Sequence, residues 1–427
     1  MLIAGIVFLV LLALGMPVAF GIGVAGLLFY LTTPGVPTSI LPQNVVAASQ
    51  SFTLLAIPLF IFAGNLMNRT GITERLVVLA SSLTGHMYGS LGQVSTVLST
   101  FMGGVSGSAN ADAAMQSRIL GPEMTKRGYA KGYSAAVNGV TALITATIPP
   151  SMGLIIYGTV GEVSIGRLFA AGFVPGVMMM IALMITVRFT AKRRGYAPER
   201  DKPASLKEIG SAFGSSLWAL GFPVLLLVGI RLGVFTPSES GAFACVYAIF
   251  VGVFVYKKLN LQAFLETLKD TARDIGIVMI LVAMSGTIGY GIVYDRVPQS
   301  LSELFIGITS NPTVMLIIAV VLLIMCGMFI ETTVIALLLT PILVPAVEAV
   351  GVDPVHFGLV MMTATTMGIM TPPVGIALYT TSQIMGTSPQ DTARQSLPFL
   401  GAVIVVLLIM VLFPDLVLFV PDLVFGT

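Results

Sequence analysis

Charge is what this sequence has least of. Asp, Glu, Lys and Arg make up only 9% of its 427 residues, against 56% hydrophobic. A soluble domain carries about 25% charge, so a polytopic membrane protein is implied. The net charge is +2, and no basic cluster lies beside stacking aromatics, so nothing here points to nucleic acid. Cysteine is nearly absent: Cys245 and Cys326 sit alone in apolar runs, without metal or redox spacing. The two histidines, His86 and His356, are far apart and have no ligand-like neighbours. With neither a nucleophile–base pair nor grouped metal ligands in its spans, the chain does not read as an intramembrane enzyme. Residues 1–14 lack a charged leader and a small-residue cleavage site, so they read as a retained membrane segment. The longest polar stretch, Ala191 to Lys207, is too short to fold alone.

What is present is a patterned set of apolar runs, some of them too short to cross a bilayer. Spanning takes about 20 residues. In the stretch Tyr88 to Thr125, the run Leu91–Met102 leads into Phe101-Met-Gly-Gly-Val-Ser-Gly-Ser-Ala-Asn-Ala-Asp112, and a second short limb, Ala113–Met124, follows. Two half-helices meeting at a polar tip inside the membrane explain this pattern. A surface loop between amphipathic helices is the alternative. Irregular backbone at membrane depth survives only where protein buries it or it lines a cavity, so such a tip is a candidate binding site.

The rest of the chain reads as follows. Leu2–Leu31, interrupted by Gly15-Met16-Pro17, is either one tilted helix or two short ones. Thr38–Ser51 lies along the interface, and Phe52–Met67 is a short helix with Pro58 inside it. Ile72–Leu83 is amphipathic. Tyr133–Tyr157 spans but is broken at Ile148-Pro149-Pro150-Ser151, because adjacent prolines remove two donors and clash with the preceding turn. Ile165–Phe189 spans without interruption. Leu217–Ile230 and Gly241–Tyr256 are spans joined near Pro237. Leu261–Arg273 is a separate amphipathic segment before the span Ile275–Tyr294. Pro312–Ile324 and Val334–Val344 are short limbs around Cys326-Gly327-Met-Phe-Ile-Glu331-Thr-Thr333. Phe357–Tyr379 is broken at Gly368-Ile-Met-Thr-Pro-Pro373, and Leu397–Phe413 is the last clear span.

Short limb, glycine tip, short limb, proline-broken span and plain span thus occur twice. Gly104 falls opposite Gly327, Pro149-Pro150 opposite Pro372-Pro373, and Tyr157 opposite Tyr379. Paired, interrupted hydrophobic segments in corresponding halves point to a transporter's binding site. We divide the chain into a first repeat, residues 1–190, a linker, 191–212, and a second repeat, 213–427; the hairpins occupy 88–125 and 312–345. Lys192, Arg193, Arg194, Arg200, Lys202 and Lys207 make the linker cytoplasmic, and Lys126, Arg127 and Lys131 place the open end of the first hairpin on the same side. Counting spans onward opens the second hairpin to the opposite side. The repeats are therefore inverted, and their tips can meet near the midplane. The side of the N-terminus depends on which reading of Leu2–Leu31 holds.

Gly104-Val-Ser-Gly-Ser-Ala-Asn-Ala-Asp112, Ile148-Pro-Pro-Ser151, Val163-Ser-Ile-Gly-Arg-Leu-Phe169, Gly172-Phe-Val-Pro-Gly176 and Thr371-Pro-Pro-Val-Gly375 resemble the large membrane subunit of tripartite ATP-independent periplasmic (TRAP) transporters. The resemblance covers almost the whole chain. It implies a multi-pass protein of the bacterial inner membrane with an elevator-type ion-transporter fold: all-α, with two inverted repeats, each carrying a re-entrant hairpin and a proline-broken helix. It implies Na⁺-coupled import of an organic acid anion such as sialic acid or a C4-dicarboxylate. It also implies two partners, a small four-helix membrane subunit and a periplasmic substrate-binding protein. The small subunit is not fused here, since the large-subunit pattern starts directly. A standalone anion transporter or a channel is the alternative reading.

Na⁺ takes several oxygen ligands, which half-helix C-termini and unwound carbonyls can supply. The expected first cage lies around Gly103, Val105, Ser106, Thr145 and Ile148; the second lies around Gly327, Glu331, Thr366, Gly368, Met370 and Thr371. Two cages imply two or more ions. Alternatively, the Ser and Thr residues only cap half-helices. The substrate carboxylate would sit at half-helix N-termini, near Ser106, Ser108, Asn110, Thr332 and Thr333, with Asn138 and Thr141 lining the cavity. Asp112 either caps the second limb, which we favour, or adds charge near a cation. Glu331 has a functional or a capping role. Arg118 and Arg394 read as scaffold or interfacial residues rather than anion ligands.

Overall fold

A computed structural model describes residues 2–50, 52–309 and 311–426, the side chains of 52, 53, 237, 302, 304–306 and 308 excepted. Among the described residues all regular structure is helical. The chain opens with α1 (Leu2–Ala13) and α2 (Val18–Thr32). Gly15, at φ 83°, turns the backbone between them, so Leu2–Leu31 is two short helices. α3 (Ile40–Ser49) follows; Ser51, the end of the expected interfacial segment, lies outside the described residues. A 3₁₀ turn over 52–55 leads into α4 (Ala56–Arg69), which places Pro58 in a first turn, where its missing N–H costs nothing. α5 (Ile72–Thr84) completes this group.

The first hairpin is α6 (Ser90–Gly103) and α7 (Ala109–Ile119), extended by α8 (Gly121–Lys126). Its second limb starts at Ala109, four residues before the expected Ala113, because Ser108 caps it. The broken span is α9 (Lys131–Thr141), a 3₁₀ segment over 142–146, and α10 (Met152–Val160). α11 (Ile165–Ala171) and α12 (Phe173–Arg194), parted only at Gly172, make up the single span expected over Ile165–Phe189 and carry it on to Arg194. The jog falls at Gly172, whose Cβ, were there one, would lie 2.2 Å from the Thr147 carbonyl oxygen. The missing side chain lets the helix pass close to the first break.

The second half runs α13 (Leu206–Arg231), α14 (Pro237–Phe250), α15 (Leu261–Tyr294), α16 (Val297–Ile308), α17 (Pro312–Gly327), α18 (Thr332–Glu348), α19 (Pro354–Gly368), α20 (Ile376–Met385), α21 (Pro389–Leu412) and α22 (Pro414–Phe425). Polar side chains mark many of these starts: Asn260, Asn311, Asp353 and Ser388 each accept a backbone N–H of the first turn, and Ser205–Glu208 and Thr236–Glu239 form full capping boxes. The separate segments expected over Leu261–Arg273 and Ile275–Tyr294 form one helix, α15, of 34 residues. Gly276 lies at the junction but does not interrupt the helix. Asn65 Nδ2 of α4 holds it from outside, donating to Thr271 Oγ1 at 3.2 Å and Asp274 Oδ2 at 3.0 Å. At 1.5 Å rise, α15 is about 51 Å long, well beyond a hydrocarbon core of ~30 Å.

The helices fall into two groups, joined where α5 packs on α6. α2, α3 and α4 pack on α15, α4 on α14, and α5 on α13, forming a frame. The other body contains both hairpins and both broken spans: α17 on α19, α9 on α20 and α21, α6 on α12, and α11 on α22. Within it the halves exchange partners, since α7 packs on α20 and α18 packs on α10. Each hairpin thus lies against the far limb of the other half's broken span. Five helical stretches are long and apolar enough to cross a membrane: Ile165–Arg194, Leu206–Arg231, Ser238–Val255, Leu261–Tyr294 and Pro389–Leu412. Ile181, Ile185, Phe189, Val224, Phe254 and Val405 remain exposed on them, as lipid contact requires. The chain is an all-α, multi-pass membrane protein.

Candidate functional site

Each tip is a tight reversal made of glycine and capping residues. In the first, α6 stops at Gly103, Gly107 takes φ 62°, and Ser108 Oγ accepts the Ala111 N–H at 3.5 Å to start α7. A Cβ on Gly107 would lie 2.5 Å from the Pro150 carbonyl oxygen, and one on Gly103 would lie 2.5 Å from Ile148 Cβ. The tip therefore sits directly on the first break, where Pro149–Pro150 is cis and Ser151 Oγ caps α10 through the Leu154 N–H at 3.4 Å.

The second half repeats this construction. α17 stops at Gly327, whose Cβ would lie 2.4 Å from the Thr365 carbonyl oxygen. Glu331 caps α18, accepting the Thr333 N–H at 2.8 Å and the Thr333 hydroxyl at 3.0 Å. Across the break, where Pro372–Pro373 is cis, the Gly375 N–H donates to the Met328 carbonyl at 2.8 Å. The backbones of Gly327 and Gly368 meet without intervening side chains.

One cleft joins the two constructions. Gly107, Ser108, Ala109 and Asn110 of the first tip face Glu331, Thr332 and Thr333 of the second; Ala146, Met152, Gly153, Met362 and Ile369 of the breaks close it. Ser108, Asn110, Thr332 and Thr333, four of the residues expected beside a substrate, all line this cleft. The N-termini of α7 and α18 both border this space, and the dipole at a helix N-terminus favours an anion. The two are unequal, because a neutral Ser108 caps one and an acidic Glu331 caps the other. Neither Arg118 nor Arg394 lines the cleft; both are exposed.

The remaining expected residues lie around the tips. Ser106 is half-buried, and Ile148, Thr366, Gly368 and Met370 are buried in the breaks. Thr371 Oγ1 donates to the Met367 carbonyl at 2.9 Å, and Thr366 Oγ1 donates to the Met362 carbonyl at 2.5 Å. The Val105 carbonyl faces the frame, 3.1 Å from where a Cβ on Gly64 of α4 would sit. Asn138 and Thr141 do not line the cleft. They are fully buried between α6, α7 and α9: Ser95 Oγ lies 3.0 Å from Asn138 Oδ1 and 2.8 Å from Thr141 Oγ1.

Those contacts belong to a larger polar network. Asp112 Oδ2 accepts from Thr145 Oγ1 at 2.7 Å, Gln116 Nε2 at 2.8 Å and Ser99 Oγ at 3.1 Å. Gln116 Oε1 lies 2.5 Å from Ser95 Oγ, and Thr145 Oγ1 reaches the Ser99 carbonyl at 3.1 Å. Asp112 is therefore not the cap of the second limb; Ser108 is, and Asp112 points back into the hairpin. The sequence reading missed Ser95, Ser99 and Gln116. Their signal was polar residues repeating every four positions, 95 and 99 on one limb, 112 and 116 on the other.

Comparison with known proteins agrees with this architecture. Residues 6–416 match the family model of the tripartite ATP-independent periplasmic transporter, DctM component. The sialic acid TRAP transporter large permease protein SiaM of Vibrio cholerae is 38% identical over 97% of both chains. The 2,3-diketo-L-gulonate TRAP transporter large permease protein YiaN of Escherichia coli is 34% identical over 95% of both. The C4-dicarboxylate TRAP transporter large permease protein DctM of Rhodobacter capsulatus is 31% identical over 98% of both. Among solved structures, the YdaH transporter of Alcanivorax borkumensis superposes with a TM-score of 0.61 at 12% identity, covering 87% of this chain and 86% of that one. MtrF of Neisseria gonorrhoeae gives 0.58 at 10% identity, over 86% and 83%. These two share the fold alone. On its sequence relatives, the chain belongs to the TRAP transporter family as a large permease subunit, a component of a secondary transporter and not an enzyme.

Proposed function

We propose that this permease imports an organic acid anion across the bacterial inner membrane, coupled to Na⁺. The observation that carries the reading is the cleft that both tips line; at about 20 Å³ it holds little more than a water, so the tips must part to admit a substrate. The substrate carboxylate takes the N–H groups at the start of α7, with Ser108 and Asn110 beside it; Thr332 and Thr333 meet the rest of the molecule. Na⁺ ions, at least two, occupy the junctions of tip and break, where Gly103 meets Ile148 and where Gly327 meets Gly368. Around the first stand Val105, Ser106 and Thr145; around the second stand Glu331, Thr366, Met370 and Thr371. The breaks suit such ions, because they leave carbonyl oxygens outside helical hydrogen bonding. The division into a frame and a body carrying the cleft supports an elevator motion, with the second sliding against the first.

The substrate reading rests on relatives whose names specify sialic acid, 2,3-diketo-L-gulonate and C4-dicarboxylates. Partners are a small four-helix membrane subunit and a periplasmic binding protein. Permeases named SiaT and DctMQ, of which this chain covers 68% and 65%, are longer chains that leave room for a fused subunit. Reconstitution with both partners into proteoliposomes tests the proposal. Uptake of labelled organic acid is expected to require an inward Na⁺ gradient. Equal uptake with choline in place of Na⁺ would refute the coupling, and uptake without the binding protein would refute the tripartite reading.

A further inference from the structure

A second cavity lies apart from the cleft, between the frame and the second hairpin. α1 and α15 wall it on one side, α18 on the other, and α16 at one end. Its volume is about 720 Å³, within the ~300–1,000 Å³ of small-molecule sites. Among the described residues, Asp295 and Ser300 are the only side chains lining it that carry oxygen. A water held inside a protein needs about two to four polar partners, so most of this wall suits hydrocarbon. Leu2 and Leu9, 81% and 60% exposed, also line it, which makes its wall continuous with the lipid-facing surface.

The polar and apolar parts are ordered along the membrane normal. Counting spans from the cytoplasmic linker brings the end of α15 to the outer face, so Asp295 and Ser300 stand at headgroup level. At the other end the cavity reaches Cys326 and Ile330 beside the second tip, near the midplane. Between that tip and Ile342 it follows α18 for about 15 Å, half of a ~30 Å hydrocarbon core. We propose that the cavity holds one acyl chain of an outer-leaflet phospholipid, with the polar end at Asp295 and Ser300 and the chain terminus beside Cys326. Oxygen at one end, hydrocarbon for the depth of one leaflet and an open side are what such an amphiphile requires. An empty void would leave the lining without dispersion contacts, and a lipid tail supplies them with no polar group to desolvate. The inference goes beyond the transport reading and does not depend on Na⁺ coupling.

Phospholipids carrying a diazirine on one acyl chain test this, with the purified full chain in nanodiscs. After irradiation, adducts are mapped by peptide mass spectrometry. A probe at the chain terminus should label the segment around Cys326 and Ile330, and a probe next to the glycerol should label the segment around Ser300. Absence of adducts on both segments, or the same pattern from both probes, overturns the proposal. Two variants separate a seated lipid from lipid that merely surrounds the protein. No atom lies within 4 Å of where a Cβ on Gly5 would sit, so Gly5→Phe has room, and Leu338→Trp fills the cavity from the opposite wall. In a folded variant the adducts near Cys326 should be lost, while those at the exposed Phe254 stay. Unchanged adducts near Cys326 in every folded variant overturn the assignment. So does their loss when the small membrane subunit is bound, because a protein segment is then the occupant.

Discussion

Glycine has opposite meanings at different positions in this chain. Gly327 is required, because its Cβ would lie 2.4 Å from the Thr365 carbonyl oxygen, a backbone atom that cannot swing aside. Gly276 is not, because nothing lies within 4 Å of its would-be Cβ and it sits inside α15. Gly327→Ala is therefore expected to lower the melting temperature in detergent and to weaken transport. Gly276→Ala should be neutral or stabilising, by up to about 1 kcal/mol, as helix propensity gives. Thermal melts of the two variants side by side check this, and equal melting temperatures would count against it. Ser108→Ala removes a cap worth about 1 kcal/mol and should lower the melting temperature more than Ser49→Ala, whose hydroxyl only bonds back into its own exposed turn.

At the scale of the element, the hairpins and breaks were legible from sequence while the long helix was not. Glycine and proline act through the local backbone, so Gly103-Gly104 and Pro149-Pro150 announce themselves in a single reading. α15 reads as two segments because its polar first half, Leu261 to Arg273, and its apolar second half differ in solvent, not in backbone. The contact that shows them to be continuous, Asn65 on Thr271 and Asp274, comes from residues about two hundred positions away. The Asp112 network was hidden for the same reason, since three separate segments supply it. Ile275→Pro tests the continuity: a proline inside a helix costs about 3 kcal/mol or more, so the variant should express poorly, whereas two separate segments would tolerate it. Arg69, by contrast, reaches Glu266 and Asp270 at 2.6 Å with all three side chains partly exposed, so Arg69→Ala should cost less than about 1 kcal/mol.

For the whole molecule, the central fact is that two tips far apart in sequence share one cleft. A cysteine pair at Ser108 and Thr332, with Cys245 and Cys326 replaced by Ala, should be joined by a short bifunctional thiol reagent. The shift in gel mobility after cleavage within the linker reads this out, and no cross-link under any condition would contradict the shared cleft. The duplication was visible in the sequence because both halves carry the same interruptions. What the cleft is made of was visible only in part. Ser108, Asn110, Thr332 and Thr333 stood at readable tips, whereas Ala146, Met152 and Met362 look like any other buried residue until the halves are brought together.

The exchange of partners between halves, α7 on α20 and α18 on α10, carries a consequence for how the protein comes into being. A ribosome that has released only residues 1–190 has made a hairpin that can rest on α9 and α12 but still lacks its neighbour α20. The early half must wait in the lipid with the side of α7 that α20 will cover still open. Expressed by itself, that half should be cleared by membrane proteases, and supplying residues 191–427 as a second polypeptide should rescue it. The two halves share one plan, and the contacts of α7 with α20 and of α18 with α10 interlock them.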